Sequence, residues 1–399
     1  MLVNETVLQV PIFRGRNILD HFAQSIPTST YERPIRFAVI RTGTYDYHCE
    51  VGVLFSREED PTLNNSIFNF RGRNFENVEK FNAVLVIPTG IGAEIGGHSG
   101  DAGAVARLLA QSCDTLILHP NAVNASDINE MPENSLYVEG STLDRFLMGI
   151  VTLEKVRSNR VMLILDKHED PFFRDAAINS VSAARVSLGM DITVVMMEED
   201  RVLMRSLYSP SSGRAIGRVE YLETLCKVLE EHKGKFDAVA ISTIVDIPDG
   251  SDKNYYNNEM NLTNPWGGVE AMLTHAISLL FNVPTAHAPM MPSKESLNYD
   301  VGVIDPRKSA EAVSTTNLHC VLKGLHKSPK LHFNPLGVGS IGRGLTVEDV
   351  SCLVIPDGCV GIPTLAALQQ GIPVIAVREN HNHMLNDLEE LPFDPGKLF

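Results

Sequence analysis

The chain is 399 residues long, enough for two or three domains rather than one ordinary core. With 44% hydrophobic and 21% charged residues it has the composition of a globular protein, which excludes a wholly disordered chain. Its 49 acidic residues outnumber 34 basic ones, a net charge of −15. That argues against nucleic-acid backbone or an anionic membrane surface as the partner, while leaving room for a local positive pocket that takes a small anion.

Residues 35–41 and 51–55 read as strands. With the polar, turn-rich stretch 56–80 they suggest a small N-terminal α+β extension over residues 1–80. From residue 81 onward, short β-branched runs alternate with amphipathic segments. The runs 83–88, 115–118, 161–165, 192–195, 238–242, 352–355 and 373–377 are almost continuously apolar, the pattern of parallel strands buried on both faces. Helices are expected over 101–113, 172–188, 219–232, 269–281, 307–325 and 363–370. In the first of these, Ala102, Val105, Ala106, Leu109 and Cys113 keep helical spacing. The alternation predicts an α/β fold of two Rossmann-like doubly wound halves with mostly parallel sheets, one over 81–245 and one over 246–399. The loop-rich stretch 246–265 would part the halves and close over a cleft.

Six cysteines without a C-x-x-C pair make neither a disulfide scaffold nor a structural zinc site. The start carries no evident signal peptide, and no apolar run is long enough to span a bilayer. A cytoplasmic location follows, with no membrane partner.

The strongest local signal is strand 83–88 running through Thr89-Gly-Ile-Gly-Ala-Glu-Ile-Gly-Gly-His-Ser-Gly100 into a helix opened by Asp101. Gly90, Gly92, Gly96 and Gly97 permit positive φ and bring backbone N–H groups toward a ligand, and a helix N-terminus adds positive potential. The loop is therefore a candidate anion cradle; the plainer alternative is a tight turn whose glycines serve sterics alone. Its G-x-G-x-x-x-G spacing is not the dinucleotide fingerprint, and no G-K-[ST] is present. Strand 115–118 ends on His119-Pro-Asn121 instead of an acid for a ribose, so no nicotinamide or other cofactor is expected. His98 and His119 are acid/base candidates, Asn121 a ligand-binding one, and Asp101 caps the helix or orients a histidine.

A second junction, Asn264-Pro-Trp-Gly-Gly-Val-Glu270, leads into helix 269–281. Asn264, Gly267 and Gly268 are binding candidates. Glu270 either complements the helix dipole or enters the cleft as an acid/base group. His275 lies five residues on, about 140° round the helix, and need not share that face. His287 follows another strand-like run. The polar cluster 166–170 reads as a solvated strand end, and His381 with His383 lacks a third ligand, so no metal site is assigned.

The third junction spans residues 352–377, Cys-Leu-Val-Ile-Pro-Asp-Gly-Cys-Val-Gly-Ile-Pro-Thr-Leu-Ala-Ala-Leu-Gln-Gln-Gly-Ile-Pro-Val-Ile-Ala-Val. It resembles the nucleotide-sugar-binding element of the C-terminal domain of GT-B glycosyltransferases. Thr364, Leu365, Gly371 and Pro373 fit that element, whereas Ala366 stands where its ribose-gripping glutamate would be. Asp357 and Thr364 are binding candidates here. Cys359 is a nucleophile or proton-shuttle candidate, or else a small packed residue.

The run V-I-P-T-G-I-G-A-E-I-G-G-H-S-G-D-A, followed by L-H-P-N-A-V-N, N-P-W-G-G-V-E, H-A-P and V-I-D-P-R, resembles an uncharacterised domain family of unknown function. That family carries a P-T-G-x-G-A-x-I-G-G-x-x-G-D-A element and a downstream H-P-N. The resemblance covers most of residues 81–380 and supplies no reaction; it implies that these junctions belong to one site. The first functional reading is an acid/base enzyme of isomerase, lyase or transferase type, acting on a small carboxylate- or phosphate-bearing metabolite in an interdomain cleft. The alternatives are a GT-B-like glycosyltransferase using a nucleotide sugar and a non-catalytic metabolite-binding or assembly protein. A homo-oligomer is expected, with the N-terminal 80 residues as its contact surface.

Overall fold

Two wholly parallel sheets form where the sequence places its apolar runs. A computed structural model describes the chain except residues 28, 57–65, 99, 124–130, 198–200, 258–261, 295, 297–301, 315 and 334–343. Parts of the stretches 56–80 and 246–265 therefore lie outside the described residues. The first sheet has five strands in the order β18 (Val374–Val377), β16 (Cys352–Pro356), β4 (Asn82–Leu85), β5 (Thr115–Leu118) and β6 (Ser135–Tyr137). The second has four, in the order β14 (Thr285–His287), β12 (Ala238–Ser242), β8 (Arg160–Leu165) and β9 (Asp191–Met196). β4, β5, β12 and β16 are buried at every position, which is why they read as unbroken apolar runs. The expected α/β class is the class the chain adopts.

A third sheet has seven strands in the order β13 (Val245–Asp246), β10 (Leu203–Tyr208), β11 (Ala215–Glu220), β1 (Leu2–Pro11), β3 (Asp46–Phe55), β2 (Glu32–Thr42) and β17 (Val360–Gly361). All its pairings are antiparallel except β10 with β13. The sheets are not partitioned along the chain. β16 pairs with β4, Cys352 opposite Ala83, and β1 lies between β3 and β11, so strands from both sides of residues 80/81 and 245/246 share sheets. A separate ribbon joins β7 (Val151–Glu154) to β15 (Lys330–Phe333).

Several helices begin and end on local chemistry. α5 (Pro171–Leu188) has the Asp170 side chain accepting the Phe172 N–H at 2.9 Å, proline at its first position, and Gly189 left-handed behind it. The stretch 219–232 is part strand and part helix. β11 takes Val219 and Glu220, Tyr221 turns the chain at φ 60°, and α6 (Leu222–Glu231) follows. The stretch 307–325 is likewise two helices, α9 (Pro306–Ala312) and α10 (Leu318–His326), parted at Asn317 with φ 51°. α2 (Gly103–Ala110) starts two residues later than expected, and α8 (Gly267–Phe281) two residues earlier. On α8, Val269, Met272 and Leu273 share a buried cluster with Val3 and Ile35 of the seven-stranded sheet and Ile164 and Ile241 of the four-stranded one. That packing fixes the start of α8 beside the C-terminal ends of the parallel strands.

Candidate functional site

Residues at the C-terminal ends of both parallel sheets line one open cleft of about 870 Å³. His119 follows β5 directly, Glu139 stands two residues past β6, Thr89 four past β4, and His287 ends β14. The first turns of α8 add Glu270 and His275. Open α/β sheets bind ligands at this edge because the strands end there and the loops diverge.

Two buried histidines converge in it. The Nδ1 of His119 accepts the Asn121 N–H at 3.3 Å, which leaves its proton on Nε2. Burial, reinforced by repulsion from His275 and only partly offset by Glu139, lowers His119 to about 4, so it is neutral at pH 7. His275 is held differently, with its Nδ1 3.0 Å from a carboxylate oxygen of Glu139. Glu139 also caps α4 (Gly140–Leu147), accepting the N–H of Ser141 at 2.9 Å and of Thr142 at 3.1 Å and the Ser141 hydroxyl at 2.9 Å. Burial alone would raise its pKa, but His275 and these donors outweigh it and bring Glu139 down to about 2. The ionised Glu139 carboxylate stands beside Nδ1 of His275 and favours a proton there, leaving Nε2 for the cleft. Both Nε2 atoms close over Gly140: a Cβ there would stand 2.9 Å from that of His275 and 3.2 Å from that of His119. One ring thus offers an N–H, and the other, when neutral, a lone pair.

A second carboxylate–histidine pair sits nearby. His287 Nδ1 is 2.8 Å from Glu270 Oε1, and its Nε2 is 2.9 Å from the hydroxyl of Thr243. The order hydroxyl–imidazole–carboxylate is that of an activated nucleophile. Thr243, however, is fully buried, and its hydroxyl lies 2.9 Å from Met204 Sδ. No substrate reaches it. With both ring nitrogens engaged, His287 positions Glu270, which stays partly open to the cleft.

Of the residues singled out in the sequence, Thr89, Gly90, Gly97, Asn121, Asn264 and Gly267 line this cleft together with His119, Glu270 and His287. His98, Asp101, Gly92, Gly96, Gly268, Asp357, Cys359 and Thr364 are not among its lining residues. His98 is half-buried with Nδ1 3.0 Å from the Tyr255 hydroxyl, which donates to Glu311 at 3.2 Å. Burial, with Lys308 and Arg307 adding to it, lowers His98 to about 4. Through the Tyr255 hydroxyl it is linked to the cleft residues Glu311 and Asn264, whose amide donates to Glu311 at 3.2 Å and to that hydroxyl at 3.5 Å. Asn264 Oδ1 in turn accepts the N–H groups of Trp266 and Gly267, closing the start of α8.

The glycine loop differs most from expectation. Asp101 gives α2 no side-chain cap. Its Oδ1 accepts the N–H of Gly96 at 2.8 Å and of His98 at 3.3 Å, so the chain's own carboxylate occupies two of the amides expected to cradle an anion. Burial raises Asp101 to about 6 against the pull of those bonds. Gly97 is required because a Cβ would stand 1.9 Å from the Ala93 carbonyl oxygen, a contact of the loop with itself. Asn121 ties the loop further through Nδ2 to the carbonyls of Ile87 and Gly96. Cys359 is buried, its thiol pushed far above the ordinary range by burial, which does not suit a nucleophile at neutral pH. Thr364 is fully buried and donates to the Cys359 carbonyl at 2.6 Å. Asp357 accepts the Gly358 N–H at 2.8 Å.

His275 shares the cleft with Glu270 despite the angle between them on α8, because the cleft runs along the helix. Glu139 lies outside the glycine-rich junctions that mark the other site residues. The signal available was Glu139-Gly-Ser-Thr142, an acid followed by hydroxyls at a helix start. Among the described residues no group of three or more His, Cys, Asp or Glu is placed to hold a metal ion.

The fold and the cleft define an α/β protein whose candidate chemistry lies at the strand ends of two parallel sheets. The chain belongs to the family described as a protein of unknown function, DUF3326, whose model matches residues 82–395. It is 34% identical over 317 residues to an uncharacterized lipoprotein of Synechococcus sp., a stretch that is 79% of this chain and 85% of that protein. No solved structure matches the chain. No helix among the described residues is long and apolar enough to cross a membrane.

Proposed function

We propose that the cleft is the active site of an enzyme of isomerase, lyase or transferase type that moves a proton on a small anionic metabolite. The observation that carries this is the convergence of His119 and His275 over Gly140, the first with Nδ1 accepting a backbone N–H and the second with Nδ1 beside the Glu139 carboxylate. His275 Nε2 takes a proton from a carbon beside a carbonyl. The C–H electron pair moves into the C–C bond, and the carbonyl oxygen gains charge as its π pair shifts onto it. His119 donates its Nε2–H to that oxygen, and neutrality suits it for this, since an N–H whose proton is firmly held stabilises the oxyanion without being spent. Glu139 steadies the imidazolium that forms on His275. Glu270 is a second acid/base group, placed to return the proton elsewhere on the substrate.

Incubation in D2O with a panel of small keto acids and ketose phosphates, followed by ¹H NMR, tests the reading. One panel member should lose its α-proton signal, and alanine at His275 or His119 should slow that loss by roughly 10²–10⁴-fold. Wash-out unaffected by either substitution would remove the histidine pair from the chemistry. The similar protein described as a lipoprotein favours a membrane-associated location over the cytoplasmic one expected from the sequence, and cell fractionation decides between them.

A further inference from the structure

The cleft does not end at the two histidines. Thr89, His119, Gly140, Ala271 and His275 are shared with a second, partly open chamber reaching toward β2 and β17. Most of its wall is hydrocarbon, with Phe37, Ile355 and Met384 among the contributors.

Two arginines line it, and they differ in one respect. The guanidinium of Arg214 is clasped by two carboxylates, Glu5 at 2.5 Å and Glu50 at 2.7 Å, and Glu50 also receives the hydroxyls of Ser209 and Ser212. Arg214 is neutralised in place. Arg36, on β2, is also buried, yet among the described residues its hydrogen bonds run to main-chain carbonyls only, Thr89 at 3.1 Å and Gly268 at 3.4 Å. Two carbonyls use part of a five-donor fork and cancel none of its charge. Glu5, Glu50 and Asp144 favour the charge of Arg36 from nearby, but none of them forms an ion pair with it among the described residues. Such a buried cation, beside a cavity that opens onto acid/base groups, is one that an incoming anion can contact directly.

We propose that Arg36 anchors the oxyanion group of the substrate, a carboxylate or a phosphate, with a short apolar body lying along the chamber wall and the reacting carbon under His119 and His275. This rests on the histidine-pair reading and gives it a substrate class: a compact monoanionic acid with a carbonyl next to the anchored end. It also relocates the anion from the loop at residues 96–101, where Asp101 already fills the amides. Burial, with Arg214 adding to it, lowers Arg36 only to about 10, so it remains cationic at neutral pH. The other titratable groups facing the chamber are Asp144 of α4, Cys359, His119 and His275. Burial pushes Asp144 up to about 7, so below that pH it meets the ligand as a neutral donor.

Titration of the full-length protein at pH 6 with pyruvate, and separately with inorganic phosphate, both at constant ionic strength, tests this by calorimetry. Saturable binding of at least one is expected. Pyruvate alone would indicate a carboxylate site and phosphate alone a phosphoryl site. Arg36→Gln should weaken that binding at least tenfold. Because Arg36 also holds two carbonyls, Ala38→Leu serves as the second variant; it narrows the chamber and leaves the guanidinium in place, and should weaken binding as well. Failure of wild type to bind either probe, or undiminished binding in Ala38→Leu or in a folded Arg36→Gln protein, would overturn the anchor. His275→Ala separates the two readings: it should lose proton exchange and keep anion binding. Proton exchange that depends on His275 but not on Arg36 would overturn this inference alone.

Discussion

His119 and His275 sit over the same glycine but are fixed by opposite means, one by a backbone donor and the other by a carboxylate. Gly140 is what lets them meet. An alanine methyl there would lie 2.6 Å from His275 Cε1, a contact that only a rotation of the ring relieves. Gly140 is the first residue of α4, where alanine is compatible with the helix start. Gly140→Ala should therefore remain folded with a cooperative melt while proton exchange falls by tenfold or more, a split that thermal melts and NMR wash-out would check together. Asp144 gives a second prediction, with its sign set by its raised pKa. Between pH 3.8 and about 7 the folded chain holds a proton that the unfolded chain releases, so this group makes stability fall as pH rises through that window. Asp144→Asn should melt higher than wild type at pH 8, with the gap closing toward pH 4; a gap that widens on acidification would contradict the raised pKa. Glu139 works the other way, adding stability above pH 4.5 that is lost as pH falls toward 2. The legible part of the site was the part that follows long apolar runs: His119, Glu270 and His287 stand beside strands or glycine-rich turns. Glu139 follows a short strand preceded in sequence by a polar stretch, with no apolar run or glycine-rich loop beside it, and Arg36 meets the Gly268 carbonyl 232 positions away, which no local pattern encodes.

The start of α8 is held by contact with a strand instead of by its own capping alone. A Cβ on Gly268 would come within 2.2 Å of the Ala215 carbonyl oxygen, and the neighbours there are backbone atoms of β11 that cannot rotate away. Gly268→Ala should push the helix start off the strand and move Glu270 and His275 with it. The expected result is a loss of about 1–3 kcal/mol in urea unfolding, together with loss of exchange activity. Stability equal to wild type would mean that helix and strand are not docked this closely. The same reasoning makes Gly97→Val a stability variant, since its side chain collides with Ala93 before any ligand is involved. These contacts also explain which elements the sequence disclosed. Strands buried on both faces announce themselves as apolar runs. β11 alternates buried and half-buried positions and carries Gly217 and Arg218, and β1 mixes Asn4, Glu5 and Gln9 among its valines. With one face part-exposed, such strands have no continuous run to see, and the end of β11 merged with α6 into one amphipathic segment.

The first 81 residues precede the segment that matches the family, yet they are interior to the molecule. β1 and β3 pair along their whole length in the middle of the seven-stranded sheet, and β2 links them to β17. Val3, Ile35 and Leu54 belong to the cluster that holds α8, and Val10, Phe37 and Val51 to the one that holds β4 and β16. Arg36, Glu5 and Glu50 come from the same three strands. The sequence leads one to expect an N-terminal extension serving as a contact surface, but these residues form the middle of a sheet, and deleting them removes it. A chain beginning at Asn82 would leave β11 without its β1 partner and β17 without β2, exposing unpaired strand edges above an opened core, a condition that favours aggregation. It should be insoluble, or compact without a cooperative melt or sharp near-UV dichroism, whereas the full chain unfolds cooperatively. A soluble 82–399 fragment melting within a few degrees of the intact protein would show that the two parallel sheets stand without the third. The placement of Arg36 as part of the site would then have to be abandoned if that fragment still exchanged substrate protons.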